Sequence, residues 1–146
     1  MKNFSFIILF LSFSIYSQDI DEIRKSDTLY IYFKKDLFKQ MVVPQNKSYA
    51  DYFFIFGEYY KHNHIIFYHS ALTPEQKTEN KSFLREKKDI IINHNYLTNM
   101  FSYENAKKLL FEKKKIYLIN YDDIGWFSIK LKEVKVMDYS YLNSIE

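Results

Sequence analysis

Residues 61–70 read KHNHIIFYHS and hold three of the chain's four histidines. On a strand, residues two apart project from the same face, so His62 and His64 would point together. A His-x-His pair of this kind can chelate zinc or copper. His69 has the opposite parity and would face away unless a bulge intervenes. Zinc needs a third ligand, and a structural site a fourth. Glu58 and His94 are the candidates, but nothing in the spacing selects them. The competing reading places His62 and His64 at the solvated end of a hairpin, beside Lys61 and Asn63, where the pair would catch copper or nickel only adventitiously. The letters HNH at 62–64 lack the strand–helix context of a nuclease site.

Other chemistry is thinly represented. Asp122 and Asp123 are adjacent in an expected turn, where Asp is favoured because its side chain bonds the local backbone. Glu58 and Glu133 have no partner identifiable from sequence. There is no Gly-x-Ser-x-Gly elbow, no His-Glu-x-x-His and no P-loop. With only Gly57 and Gly125, a tight backbone cradle for phosphate is hard to build. The absence of Cys excludes disulfides, thiolate nucleophiles and Cys-ligated metal. Trp126, the sole tryptophan, follows Gly125. It reads either as a core or cross-strand aromatic or, with Tyr121, as an exposed contact for a partner or a sugar.

These residues need elements to position them. The stretch TLYIYFK alternates, with Leu29, Ile31 and Phe33 on one face and Tyr30, Tyr32 and Lys34 on the other, which predicts a strand with one buried side. Residues 19–27 read as a loose lead-in and 35–48 as a long connection. DYFFIFG and HNHIIFYH form an expected hairpin, with Gly57 near its turn, where a positive φ costs least. Residues 71–81 read as an exposed loop, SFLREKK as one or two helical turns, and DIII as a short apolar run. Ser102 is the expected N-cap of a helix over YENAKKLLFEKK, with Tyr103, Ala106 and Leu110 on its apolar face, widened by Leu109 and Phe111.

A second hairpin follows, with KIYLINY leading into DDIGW and FSIKLKEVKVM returning. Phe127, Ile129 and Leu131 alternate with Ser128, Lys130 and Lys132. The phase then flips at Val134 and Val136, which predicts either a bulge near Glu133 or a strand passing from one packing environment to another. The lysines at 87–88 and 113–115 flank apolar runs and read as gatekeepers against aggregation. The order predicts an α+β fold, a mainly antiparallel sheet of about five strands with one main helix packed on one face.

The amino-terminal stretch bears on location. MKNFSFIILFLSFSIYSQDI has a positive Lys2, an uncharged run over 4–16 and Ile15 and Ser17 placed for cleavage before Gln18. As a helix the run covers about 20 Å, short of the roughly 30 Å of a bilayer core. It reads as a signal peptide over 1–17, leaving a single exported domain over 18–146 with no stable membrane span. The formal net charge of +3, lowered by one when Lys2 leaves, argues against a nucleic-acid partner. Abundant Lys, Asn, Ile, Phe and Tyr beside scarce Ala, Gly and Pro indicate an AT-rich genome, so the 20% aromatic content is weak support for a stacking platform.

The Phe/Leu/Ile run ending in Ser-Gln, the acidic stretch after it and DTLYIYF resemble small exported proteins of flavobacteria and related Bacteroidetes. The resemblance implies a periplasmic, outer-envelope-associated or secreted location and no particular activity. It also implies that Asp27-Thr28-Leu29 is a tripeptide of the kind O-glycosylated there, on Thr28. The leading expectation is a non-enzymatic binding protein whose partner is another envelope or secreted protein, contacted through Tyr121, Trp126, Lys130 and Lys132. A metal-binding module using His62 and His64 with a divalent cation is the runner-up. An enzyme with a dispersed, motif-free site is the third.

Overall fold

The computed structural model describes residues 20–34, 38–45, 50–58, 63–70, 72 and 77–137. The segment read as a signal peptide lies outside these residues. The chain forms an α+β fold around one mixed, mostly antiparallel eight-stranded sheet. The strands are β1 (Thr28–Phe33), β2 (Phe38–Pro44), β3 (Ala50–Glu58), β4 (Asn63–His69), β5 (Lys77–Asn80), β6 (Ile91–Asn93), β7 (Lys115–Ile124) and β8 (Ser128–Met137). The helices are α1 (Ile20–Lys25), α2 (Phe83–Glu86), α3 (His94–Met100) and α4 (Tyr103–Phe111), with a 3-10 turn over Lys88–Ile90. The sheet order is β2-β3-β4-β8-β7-β1-β6, with β5 also on β8. Among the described residues no helix is long and apolar enough to cross a membrane.

The sheet is larger than the expected five strands because several polar stretches pair. The connection over 35–48 contains β2, which runs antiparallel to β3, and the loop over 71–81 contains β5. Strand β1 is not one-sided. It is interior, parallel to both β6 and β7, and its two faces enter different cores. Leu29, Ile31 and Phe33 join the main core, whereas Tyr30 packs with Tyr117, Ile119, Ile129, Leu131 and Phe83 on the other side. Tyrosine serves there because its ring supplies apolar area. Tyr30 stacks on Tyr117 at 5.4 Å, and Phe83 meets it edge-on at 4.9 Å.

The helix expected over 103–114 is present as α4, which ends at Phe111. The Ser102 hydroxyl accepts from the Asn105 N–H at 3.3 Å, and Ala106, Leu109 and Leu110 are buried. Phe111 departs from the expected apolar face and is half exposed. The helix packs on β4 and β8, over the main core. The lead-in over 19–27 is also partly helical, as α1, and Ile23 is fully buried in that core. Lys113 explains how so short a helix is held. Its ammonium donates to the carbonyls of Ile23, Arg24 and Ser26 at 2.5, 2.9 and 2.7 Å, satisfying groups that a helix end leaves orphaned. Partial burial lowers the Lys113 pKa. Lys114 pairs with Asp27 at 2.6 Å. These two lysines are therefore structural partners of α1 and the turn after it, beyond the gatekeeper role their position suggests.

The phase flip in β8 has its cause in the topology. Ile116–Ile119 pair with Leu131–Val134 in unbroken register, so no bulge lies at Glu133. The irregularity falls instead between Ile119 and Ile124. Strand β8 exchanges neighbours on one side, from β5 along Ser128–Leu131 to β4 along Lys135–Met137. Ile129 and Leu131 serve the smaller core, whereas Val134 and Val136 serve the main core on the opposite face.

Candidate functional site

The three described histidines, His64, His69 and His94, do not assemble into one site. Strand alternation in β4 points His64 to one face and His69 to the other. His64 is buried, not solvated, and pairs across the hairpin with Gly57, whose φ is 98°. His69 is buried beside the Tyr52 ring, and its Nδ1–H donates to the Glu133 carbonyl at 2.7 Å. His94 opens α3. Its Nδ1–H donates to the Tyr32 carbonyl at 3.2 Å, and its ring meets Phe56 edge-on at 4.6 Å. Burial lowers its pKa, with the Tyr32 bond opposing. His62 lies outside the described residues. Among those that are described, no three His, Asp or Glu side chains cluster as could hold a metal ion. What the geometry shows at His69 and His94 is packing plus a hydrogen bond to a distant carbonyl, which ties β4 to β8 and α3 to β1.

The carboxylates are similarly dispersed. Glu133 accepts a long hydrogen bond from the Tyr117 hydroxyl, 3.4 Å away. The Tyr117 pKa is raised, first by burial and then by the Glu133 charge. Asp122 and Asp123 stand in the irregular part of β7, where the Asp122 N–H donates to Asn120 Oδ1 at 3.2 Å. Thr28 opens β1, half-buried, next to the Asp27 carboxylate held by Lys114.

The second hairpin is where the surface stands out. Ile124 pairs with Ile129, and the Gly125 N–H donates to the Ser128 carbonyl at 2.8 Å. Trp126 and Phe127 are left at the tip, 89% and 84% exposed. The tip is braced from outside as well, because the Lys81 N–H donates to the Phe127 carbonyl at 3.0 Å. Two bulky aromatics therefore project from a turn whose backbone is tied down on two sides. Gly125 is suited to this, since a Cβ there would come within 3.2 Å of the Ser128 carbonyl oxygen.

The four residues expected to form the contact are not one surface. Tyr121 stacks on Tyr32 at 5.0 Å, with the Lys34 ammonium 5.9 Å from its ring. Tyr32 belongs to the smaller core's face. Lys132 stands on the main core's face, its ammonium 4.5 Å from the Tyr52 ring and 5.7 Å from that of Phe54. Lys130 shares that parity and is exposed. Trp126 is neither core nor cross-strand, and its companion is Phe127, which by sequence alternation falls in one row with Ile129 and Leu131 but is exposed. The signal available was the turn itself. Gly125 sets the turn's first corner, so the two residues after it fall at the tip and not in the returning strand.

Comparison with protein-family models, with curated proteins and with solved structures finds no match to this chain.

Proposed function

We propose that this chain is an exported, non-enzymatic binding protein of the cell envelope that contacts another envelope or secreted protein through the tip of its second hairpin. The observation that carries this reading is the Trp126–Phe127 pair. Turn chemistry favours Gly, Asn, Asp and Pro at such positions. Two large aromatics there gain nothing for the turn and leave on the order of 300 Å² or more of ring surface in water. Exposed apolar patches on this scale are often functional. Tight bracing by Ser128 and Lys81 presents the rings at little cost in ordering when a partner arrives. Tyr121, Lys130 and Lys132 contribute only at the periphery, on different faces.

The test is affinity capture after cross-linking in envelope extract, comparing the native chain with a Trp126→Ser/Phe127→Ser variant. The variant is expected to lose the captured protein while keeping its far-ultraviolet spectrum. Capture that survives both substitutions removes the tip from the interface. Export is tested separately, by sequencing the amino terminus of the protein recovered from outside the cytoplasm, which is expected to begin at Gln18.

A further inference from the structure

Helix α3 has few anchors, and one of them titrates. It is seven residues long, and a helix of that length does not hold itself together in water. Leu97 is fully buried and Tyr96 packs partly buried against the main core, whereas Asn99 and Met100 are exposed. The Thr98 hydroxyl bonds back to the His94 carbonyl at 3.3 Å, a contact that slightly weakens a helix. The remaining anchor is the first residue. His94 is 2% exposed, donates from Nδ1 to the Tyr32 carbonyl of β1 at 3.2 Å and sets its ring edge-on to Phe56 of β3 at 4.6 Å. One imidazole therefore joins α3 to two strands.

We propose that His94 is an acid-released latch: while neutral it holds α3 in the main core, and once protonated it lets α3 leave ahead of the sheet. This inference is independent of the tip. Burying an imidazolium among apolar groups costs solvation that one carbonyl does not replace. The groups around the ring come from four elements. From β1 comes the backbone carbonyl of Tyr32, whose side chain lies on the opposite face. Strand β6 carries no titratable residue. From β3 come Phe56 and, two residues on along the same face, the exposed Glu58. From α4 come Tyr103, stacked on Phe56, and Glu104, which is paired with Lys107. Just past α3, Arg24 of α1 lies over the Phe101 ring. Burial outweighs the Tyr32 bond, and the His94 pKa lies below its ordinary 6.5. An opened α3 returns the ring to water and to the ordinary value. The opening constant therefore rises by up to about tenfold for each pH unit below about 6.5, until the folded pKa is passed. Departure of α3 bares the Phe56 ring and leaves the strands paired.

Native-state hydrogen exchange on the full chain tests this. An α-helix bonds the amides of Thr98 to Phe101 to carbonyls four positions back. They should exchange through an opening with little urea dependence, the mark of a local event. Their protection, corrected for intrinsic rates, should fall by up to about tenfold per pH unit between about pH 6.5 and 5. His94→Asn keeps a donor for the Tyr32 carbonyl but cannot titrate, so protection of α3 should stay level over that range. Its urea midpoint at neutral pH is the folding control. A proton-resonance titration of the native chain needs no variant and should place the His94 pKa below 6.5. Protection of α3 that is level with pH in the native chain overturns the proposal. So does a pH dependence that survives His94→Asn, which would assign the response to other groups, such as His64 or His69 of β4. So too does a urea dependence at α3 equal to that of global unfolding, or a His94 pKa at or above the ordinary value.

Discussion

At the scale of single residues, buried His94 contributes to how the protein answers to pH. The folded state holds the His94 pKa below its ordinary 6.5 because burial penalises the imidazolium. The unfolded chain therefore binds a proton more readily than the folded one. Stability from this group is fully present above pH 6.5 and is lost as pH falls from there through the lower, folded pKa. Urea midpoints taken from neutral pH to about pH 5 should fall, and His94→Asn should flatten the decline by up to about 1.4 kcal/mol per pH unit. Asn is the informative substitution because its amide can replace the Nδ1–H donor to Tyr32. An unchanged slope would show that other groups govern acid stability. Lys113 gives a second outcome at this scale. Lys113→Met keeps the stem and removes the donor to three carbonyls, so it should cost about 1–3 kcal/mol and expose α1 to proteolysis first. Neither role was legible in sequence. Spacing shows which residues share a strand face, but the carbonyls that His69, His94 and Lys113 reach are some 60 to 90 positions away.

At the scale of elements, the strands rich in apolar residues were legible and the polar ones were not. The first hairpin, the capped helix α4 and the two packing environments of β8 all follow from periodicity and end signals. Strands β2 and β5 were missed because their sequences carry Lys, Gln, Glu and Asn, which a sheet tolerates at its margins but which read as loop. The helix α3 was missed because HNYLTNM has one fully buried apolar residue, Leu97, and no acidic first turn. Strand β8 offers a sharp test of the element-level account. Leu131 is fully buried and Lys130 is exposed, one position apart. Leu131→Ala should cost about 2–5 kcal/mol, and Lys130→Ala should fall within about 0.5 kcal/mol of the native value, both by urea unfolding. Similar losses at the two sites would mean that the strand is rotated from the arrangement described. For α4, Ser102→Ala should cost about 1 kcal/mol through the lost cap.

At the scale of the whole molecule, the question is whether the sheet behaves as one unit or two. Backbone pairing suggests two. Among the described residues, strands β2, β3 and β4 pair with the rest only between β4 and β8, over the three residue pairs from Ile66–Met137 to Tyr68–Lys135. So narrow a ladder would let the β2–β4 wing open by itself. Packing argues the other way. The main core crosses that seam without interruption, joining Phe54, Phe56, Ile65 and Phe67 of the wing to Leu29, Ile31, Phe33, Leu118 and Val134 of the remainder. Phe33 and Phe54, on opposite sides, meet at 5.7 Å between ring centres. Side chains of that size contribute more than three ladder pairs, since burying each aromatic is worth about 1.5–3 kcal/mol against roughly 0.5–1.5 for a net hydrogen bond. Packing should therefore win, and the sheet should unfold as one. In native-state hydrogen exchange, the interior amides of β3 and β1 should open with the same free energy, and the same denaturant dependence, as global unfolding. Phe54→Ala, which hollows the core at the seam, should cost about 3–5 kcal/mol. It should also lower protection in the wing further than in β1 and β7, separating two openings that coincide in the native chain. Early exchange confined to β3 and β4 in the unaltered protein would show that the ladder, and not the core, sets the cooperative unit.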